Sequence, residues 1–194
     1  MVPHGLSLKK SRLALNEVLR CKAGSLVVFA PVCKSYSAVC QFTHGRNWIN
    51  PYGNSGYTFV RVGTILGCRT CLLIMVCCWR GLRFLLEQPS GSMLPDLPRM
   101  QFLWSTIKAW RVPCYMGKFG GRTPKPHTLW GNDFRMLSAL GAVGGTMTRQ
   151  EQERCVGRTC RTYVDKNGVK RHVGKKKELS ESQCLILQWT GTFL

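Results

Sequence analysis

Acidic residues are scarce in this chain. Nine Asp and Glu stand against 28 Lys and Arg in 194 residues, a formal net charge of +19. Such an excess favours polyanionic partners, because neutralising phosphates releases condensed counterions; undirected basic drift gives the same composition. The opening Met1-Val2-Pro3-His4-Gly5-Leu6-Ser7-Leu8-Lys9-Lys10 lacks the basic-then-apolar order of an export signal. Long apolar runs are absent but for one, Thr64 to Trp79. It contains Arg69 and falls short of the roughly 20 residues of a membrane span. A buried helix is expected there instead. No internal repeat is visible, and with no basic amphipathic helix standing out an anionic membrane surface is less favoured than nucleic acid as the polyanionic partner.

Cysteine, by contrast, is plentiful. Eleven are present, an odd number scattered without a small-module spacing, which argues against a secreted disulfide framework. An intracellular, reduced setting is expected, the nucleus included. Cys68 and Cys71 form a C-x-x-C inside the apolar run, with no second pair at zinc-finger spacing. Cys155, Cys160 and His172 are irregularly spaced, and Cys184 is their only convenient fourth ligand. No metal site is expected.

At 44% hydrophobic the chain can build a sizeable core. Ser7 to Leu19 reads as a capped helix, broken by Gly24 before a strand at Leu26–Phe29. Gln41 to Tyr57, rich in Gly, Asn and Pro, reads as a loop. Phe59 to Arg80 is helical by length, with Gly81 placed to end it. A second strand is expected at Arg83–Leu86. A helix follows, with Asp96 as a possible cap and Pro98 in its first turn, running through Lys108. Strands are expected at Trp110–Met116 and Thr128–Trp130. Alternating helices and strands imply an α/β unit with a mainly parallel sheet over residues 1–145. Residues 146–194 change character. Arg149 to Lys177 holds ten Lys and Arg and three acids, and the Asn167-Gly168 turn signal suggests a basic β-hairpin within an appended module or tail.

Two strand ends carry groups capable of chemistry. Val27-Val28-Phe29-Ala30 runs into Pro31-Val32-Cys33-Lys34-Ser35-Tyr36-Ser37, and Arg83-Phe84-Leu85-Leu86 runs into Glu87-Gln88-Pro89. A thiol and a carboxyl group at neighbouring strand ends suggest a site at the carboxyl edge of a parallel sheet. Cys33 would be nucleophilic only as the thiolate, which helix amides and Lys34 could favour; otherwise it is a small buried hydrophobe. Glu87 is costly to bury unless paired or protonated, and the plain alternative is a turn cap or a partner for Arg83 or Arg99.

The first of these runs resembles the Gly-Pro-Pro-Cys-Gln-Ser-Phe-Ser nucleophile loop of DNA cytosine-5 methyltransferases, matching at Pro31, Cys33, Ser35 and Ser37. The second stands where that family carries a strand ending Glu-Asn-Val. A third stretch, Met116 to His127, resembles the family's Tyr-Gly-x-Pro-Gln-x-Arg-x-Arg segment, with Phe119-Gly120 in place of Tyr-Gly and Lys125 in place of an arginine. The pattern is still closer to a set of dinoflagellate proteins without an established activity. These share Asn50-Pro51-x-Gly53-Asn54, Leu86-Glu87-Gln88-Pro89-Ser90 and the Phe119-Gly120-x-x-Thr123-Pro124-Lys125-Pro126 turn. The resemblance covers roughly residues 25 to 178.

The resemblance implies a truncated Rossmann-like methyltransferase domain. In it Cys33 would attack C6 of a flipped cytosine, and Glu87 would hydrogen-bond N3. Lys34, Ser35, Arg122, Lys125, Lys170, Arg171, Lys175, Lys176 and Lys177 would approach nucleic acid, DNA or RNA. The family's Phe-x-Gly-x-Gly donor loop is missing. Gly141-Ala142-Val143-Gly144-Gly145 follows no clear strand-to-helix order and does not replace it. Val32 replaces the second proline, and Gln88-Pro89 replace Asn-Val. S-adenosylmethionine is expected only if residues upstream of Met1 supply the loop. The expectation is therefore a methyltransferase-like, nucleic-acid-associating protein, catalytically incomplete as the chain stands. The alternative is a non-enzymatic basic DNA- or RNA-binding module, a remnant of a mobile or duplicated gene.

Overall fold

The computed structural model of the protein describes residues 8–38, 41–155 and 160–174. In chain order the elements are α1 Leu8–Arg20, β1 Leu26–Phe29, α2 Gln41–His44, α3 Thr58–Trp79, β2 Arg83–Pro89, α4 Pro98–Thr106, β3 Trp110–Tyr115, β4 Pro126–Gly131, α5 Phe134–Gly144, α6 Arg149–Glu153, β5 Cys160–Val164 and β6 Lys170–Gly174. Short 3₁₀ turns at Leu94–Asp96 and Met116–Phe119 lead into α4 and out of β3. The fold is mixed α/β. A four-stranded sheet runs β1-β2-β4-β3, and β5 and β6 form a separate two-stranded sheet.

The expectation of a mainly parallel sheet is corrected. β1 and β2 are parallel, with Leu26 opposite Arg83 and Phe29 opposite Leu86, but the sheet as a whole is mixed and mostly antiparallel. Chain length between strands explains the difference. β1 reaches β2 through the 22-residue α3, long enough for a crossover. Only the ten residues 116–125 separate β3 from β4, and a parallel return needs about a dozen or more. The Met116 amide donates to the Lys125 carbonyl at 3.2 Å across that short turn.

Two compact units can be distinguished among the described residues: those up to Arg111 with Thr128–Leu137, and Val112–His127 with those from Ser138 onward. The first has a core of Phe84, Leu86, Ile74, Leu82, Leu94, Leu97, Met100 and Leu103, contributed by β2, α3, α4 and the turns between them. β2 is buried from Phe84 to Gln88, so it reads as a continuous apolar run instead of an alternating one. α3 buries Val60, Gly63, Gly67, Thr70, Cys71, Ile74 and Cys77, a stripe at intervals of three and four residues. Against the expectation of a run too short to span a membrane, the helix is long and apolar enough to do so by length and composition, with a third of its most apolar window buried inside the fold. Gly81 ends it as expected. At φ +66° it lets the Leu82 amide reach the Cys77 carbonyl at 2.9 Å and its own amide reach Cys78 at 3.1 Å, a Schellman closure.

In the second unit, the expected basic hairpin is present. β5 and β6 pair antiparallel from Cys160–Gly174 to Val164–Lys170. Asp165 Oδ1 accepts from the Asn167 and Val169 amides at 2.9 and 3.0 Å, and Gly168 takes φ +77° at the turn. Two helices not expected from the sequence also lie here, wholly or in part. α5 extends into the second unit from Ser138, and α6 is closed by a Thr148–Glu151 capping box.

Candidate functional site around the Cys33 loop

Parallel pairing places the two chemical groups at one end of the sheet. Phe29 is level with Leu86, so the residues leaving β1 toward Cys33 and the last residues of β2, Glu87 and Gln88, emerge at the same carboxyl edge. Gln88, fully buried, donates from Nε2 to the Pro31 carbonyl at 2.7 Å, and its Oε1 accepts from Ser92 Oγ at 2.9 Å. Two further ties join the loops. The Met93 amide donates to the Tyr36 carbonyl at 2.8 Å, and the Ala38 amide donates to Gly91 at 3.2 Å. Cys33 is partly exposed, whereas Glu87 is buried, 3% exposed. Arg83, one of the partners considered for Glu87, lies 3.3 Å from Asp133 instead.

Below the loop sits a buried arginine that sequence reasoning did not single out. Arg46, 1% exposed, donates from Nε to the Ser35 carbonyl at 2.7 Å and from Nη1 to Pro51 at 2.7 Å. Its Nη2 reaches the Val60 carbonyl at 2.9 Å and Thr64 Oγ1 at 3.0 Å. Its guanidinium also stacks on Tyr36, 4.3 Å from the ring centroid. Burial lowers Arg46's affinity for its proton, with nearby Tyr36 opposing. Burial likewise raises the Tyr36 phenol well above its ordinary value, while its hydroxyl donates to the Gly63 carbonyl at 2.6 Å. His44, fully buried, accepts the Arg46 amide at Nδ1 (2.9 Å) and so donates from Nε2 to the Ser37 carbonyl at 2.9 Å.

Two glycines let this cluster approach α3. A Cβ at Gly63 would stand 1.9 Å from Ser35 Oγ, and one at Gly67 would stand 2.5 Å from the Tyr36 hydroxyl. The signal in the sequence is Gly63-x-x-x-Gly67, two small residues on one face of an otherwise bulky helix.

The other expected site residues are spread more widely. Lys34 is exposed, its Nζ 5.7 Å from the Phe59 ring centroid. Ser35 lies inside, its hydroxyl 3.5 Å from Arg46; it shapes the loop and presents little surface to a ligand. In the second unit Arg122 is exposed and Lys125 is 8% exposed. Lys170 is exposed on β6, and Arg171 lies opposite Tyr163 in the hairpin. Lys175, Lys176 and Lys177 fall outside the described residues.

A cleft of about 520 Å³ lies beside the loop, lined among others by Val32, Lys34, Ser35, Phe59 and Gly63. The glycine-rich stretch Gly141–Gly145 is not a cradle for a methyl donor. Gly141 and Gly144 belong to α5, and a Cβ on Gly144 would meet the Phe119 ring at 2.5 Å. These glycines make room for neighbouring side chains, so this segment does not form a loop for S-adenosylmethionine. Of the C-x-x-C pair, Cys71 is buried, its Sγ donates to the Arg99 carbonyl at 3.1 Å, and burial raises its thiol above the ordinary value, whereas Cys68 is partly exposed. Among the described residues no group of three or more His, Cys, Asp or Glu could hold a metal.

No family model matches this chain, and neither a curated protein nor a solved structure matches it.

Proposed function

We infer that this chain is a methyltransferase-like, nucleic-acid-associating protein without a donor site of its own. One observation carries the reading. The Cys33 loop and the Glu87 end of β2 leave the same edge of the parallel β1–β2 pair, joined by the Gln88–Pro31 hydrogen bond. Ligands of α/β sheets bind at the carboxyl ends of parallel strands. In this reading the β1–α3–β2 crossover is the Rossmann-like part of a truncated methyltransferase domain. Cys33 is the nucleophile toward C6 of a cytosine, and Glu87 is the hydrogen-bonding partner at N3. DNA or RNA is the partner, drawn by the charge of +19, and an intracellular location, the nucleus included, follows from that partner.

The thiol chemistry can be tested without a methyl donor. When a thiolate adds to C6, the S–C6 bond forms and the electron pair moves to C5, which takes a solvent proton. Loss of the original C5 hydrogen then restores the ring and expels the thiolate. Protein incubated with cytosine-containing oligonucleotide tritiated at C5 should release tritium to water, and Cys33→Ala should reduce release to background. Salt-dependent binding with no Cys33-dependent exchange would leave the second reading, a non-enzymatic basic binding module, which the exposed Lys34, Arg122 and Lys170 favour.

A further inference from the structure

Between Glu17 and Glu87 the chain contains no Asp or Glu but eight Lys and Arg. Within that acid-free stretch, the segment following the Cys33 loop presents aromatic rings outward. Phe42 is 94% exposed, Trp48 85%, Tyr57 48% and Tyr52 41%. The backbone beneath them is held tightly. Asn47 Oδ1 accepts from the Ile49 and Asn50 amides at 2.9 and 2.7 Å. The Asn54 amide donates to the His44 carbonyl at 2.8 Å, and Arg46 holds the Pro51 carbonyl. A Cβ on Gly53, at φ +65°, would meet the His44 carbonyl at 2.5 Å, so this close approach admits only glycine. Tyr57 lies 5.9 Å from Phe59, centroid to centroid, and Phe59 lies under Lys34 at the wall of the 520 Å³ cleft.

Rings held outward on a fixed turn are a cost to solubility unless something covers them. The patch is mainly aromatic, with Ile49 its one large aliphatic member. Flat faces suit nucleobases, and stacking on them is tolerant of sequence. The exposed cations Lys34 and Arg61, with no acid nearby in the chain, suit the phosphates between those bases.

We propose that residues 41–59 form a base-stacking platform for single-stranded nucleic acid leading to the cleft lined by Val32, Lys34 and Phe59. The platform rests on the nucleic-acid reading above and gives it a substrate class, an unpaired strand. Trp48 and Tyr57 are the principal stacking residues, and Lys34 and Arg61 neutralise the backbone. A fixed turn also lowers the ordering entropy lost on binding.

The test uses the full chain with a fluorescent single strand of about 20 nucleotides, a duplex of the same length and anionic phosphatidylserine vesicles, at about 50 mM salt. The single strand should bind more tightly than the duplex. Trp48→Ala with Tyr57→Ala should weaken the strand about tenfold or more and leave the duplex unchanged. Trp48→Phe with Tyr57→Phe should restore binding, which separates lost stacking from damaged folding. Equal strand affinity in wild type and alanine variant would overturn the platform and leave the nucleic-acid reading standing. Vesicle binding lost in the variant while strand affinity is unchanged would overturn it in favour of a lipid surface. Absence of binding to either nucleic acid would overturn both readings.

Discussion

Gln88 and Pro31 are 57 positions apart in sequence and 2.7 Å apart in space, side-chain amide to backbone carbonyl. This bond makes the Cys33 loop a continuation of the sheet edge. The parallel β1–β2 register brings Glu87 and the residues leaving β1 to one edge, and the Gln88 side-chain amide ties the loop to it there.

Gln88→Met keeps the volume and removes both hydrogen-bonding atoms. The Pro31 carbonyl and Ser92 hydroxyl would lose a buried partner, at a cost of about 1–3 kcal/mol. Urea unfolding should register that loss. Amide hydrogen exchange should show faster opening at Tyr36 and Met93, whose amides hold the loop. Exchange accelerated equally throughout β2 would mean the bond supports the strand and has no special hold on the loop.

Arg46 is a sharper case, because one guanidinium serves three carbonyls, two hydroxyls and a ring. Lysine can supply the charge but not the planar fork. Arg46→Lys should therefore destabilise nearly as much as Arg46→Ala, on the order of 3 kcal/mol in each case. A lysine variant within about 1 kcal/mol of wild type in denaturant melts would show that charge alone suffices.

The pH dependence of the second unit should centre on Glu151. Its carboxyl is held down to about 2, first by the hydrogen bond from Lys118 and then by those from Thr148. The folded value is depressed below the ordinary 4.5. The stabilisation is therefore fully present above about 4.5 and is lost as pH falls toward 2. The protection of the Thr148 amide, its exchange rate by NMR divided into the intrinsic rate at each pH between pH 6 and pH 2 (roughly the window set by these values), should fall as the carboxyl protonates. Glu151→Gln should flatten that profile. An unchanged profile would assign the capping box no role in this pH range.

Much of the first unit was legible because local and tertiary demands agree there. α3 is apolar enough to be a core helix whatever surrounds it, and Gly81 is a C′ residue by backbone necessity. β1 and β2 are short apolar runs bounded by Gly and Pro. The direction of β3 and β4 was not legible from composition, since it depends on the short return through residues 116–125. α5 was hidden by Gly141 and Gly144, which lower helix propensity but are required by Val112, Phe119 and Cys114 packed against them. The Thr148-x-x-Glu151 capping box is a readable helix start, but it lies within a stretch whose cationic composition resembles a tail. Arg46 gave no signal at all: a lone arginine in a Gly- and Asn-rich loop looks solvated, and only the fold shows that Ser35, Pro51, Val60 and Thr64 converge on it.

The last prediction is that no methyl group is transferred. A cytosine methyltransferase must hold its donor within reach of C5 while a thiolate occupies C6, and most of the rate comes from that positioning. This chain brings a thiol and a carboxyl group to one sheet edge, but its glycine-rich segment lies in α5 against Phe119, Cys114 and Val112. Filled positions of that kind cannot admit a donor without repacking α5. Purified protein given labelled S-adenosylmethionine and cytosine-containing DNA should leave the DNA unlabelled even where Cys33-dependent tritium exchange is detected. Exchange without transfer would show a nucleophile site separated from its donor site. Label in the DNA that disappears in Cys33→Ala would show that residues packed in the fold also form a donor site, and the packing role of the α5 glycines would have to be abandoned.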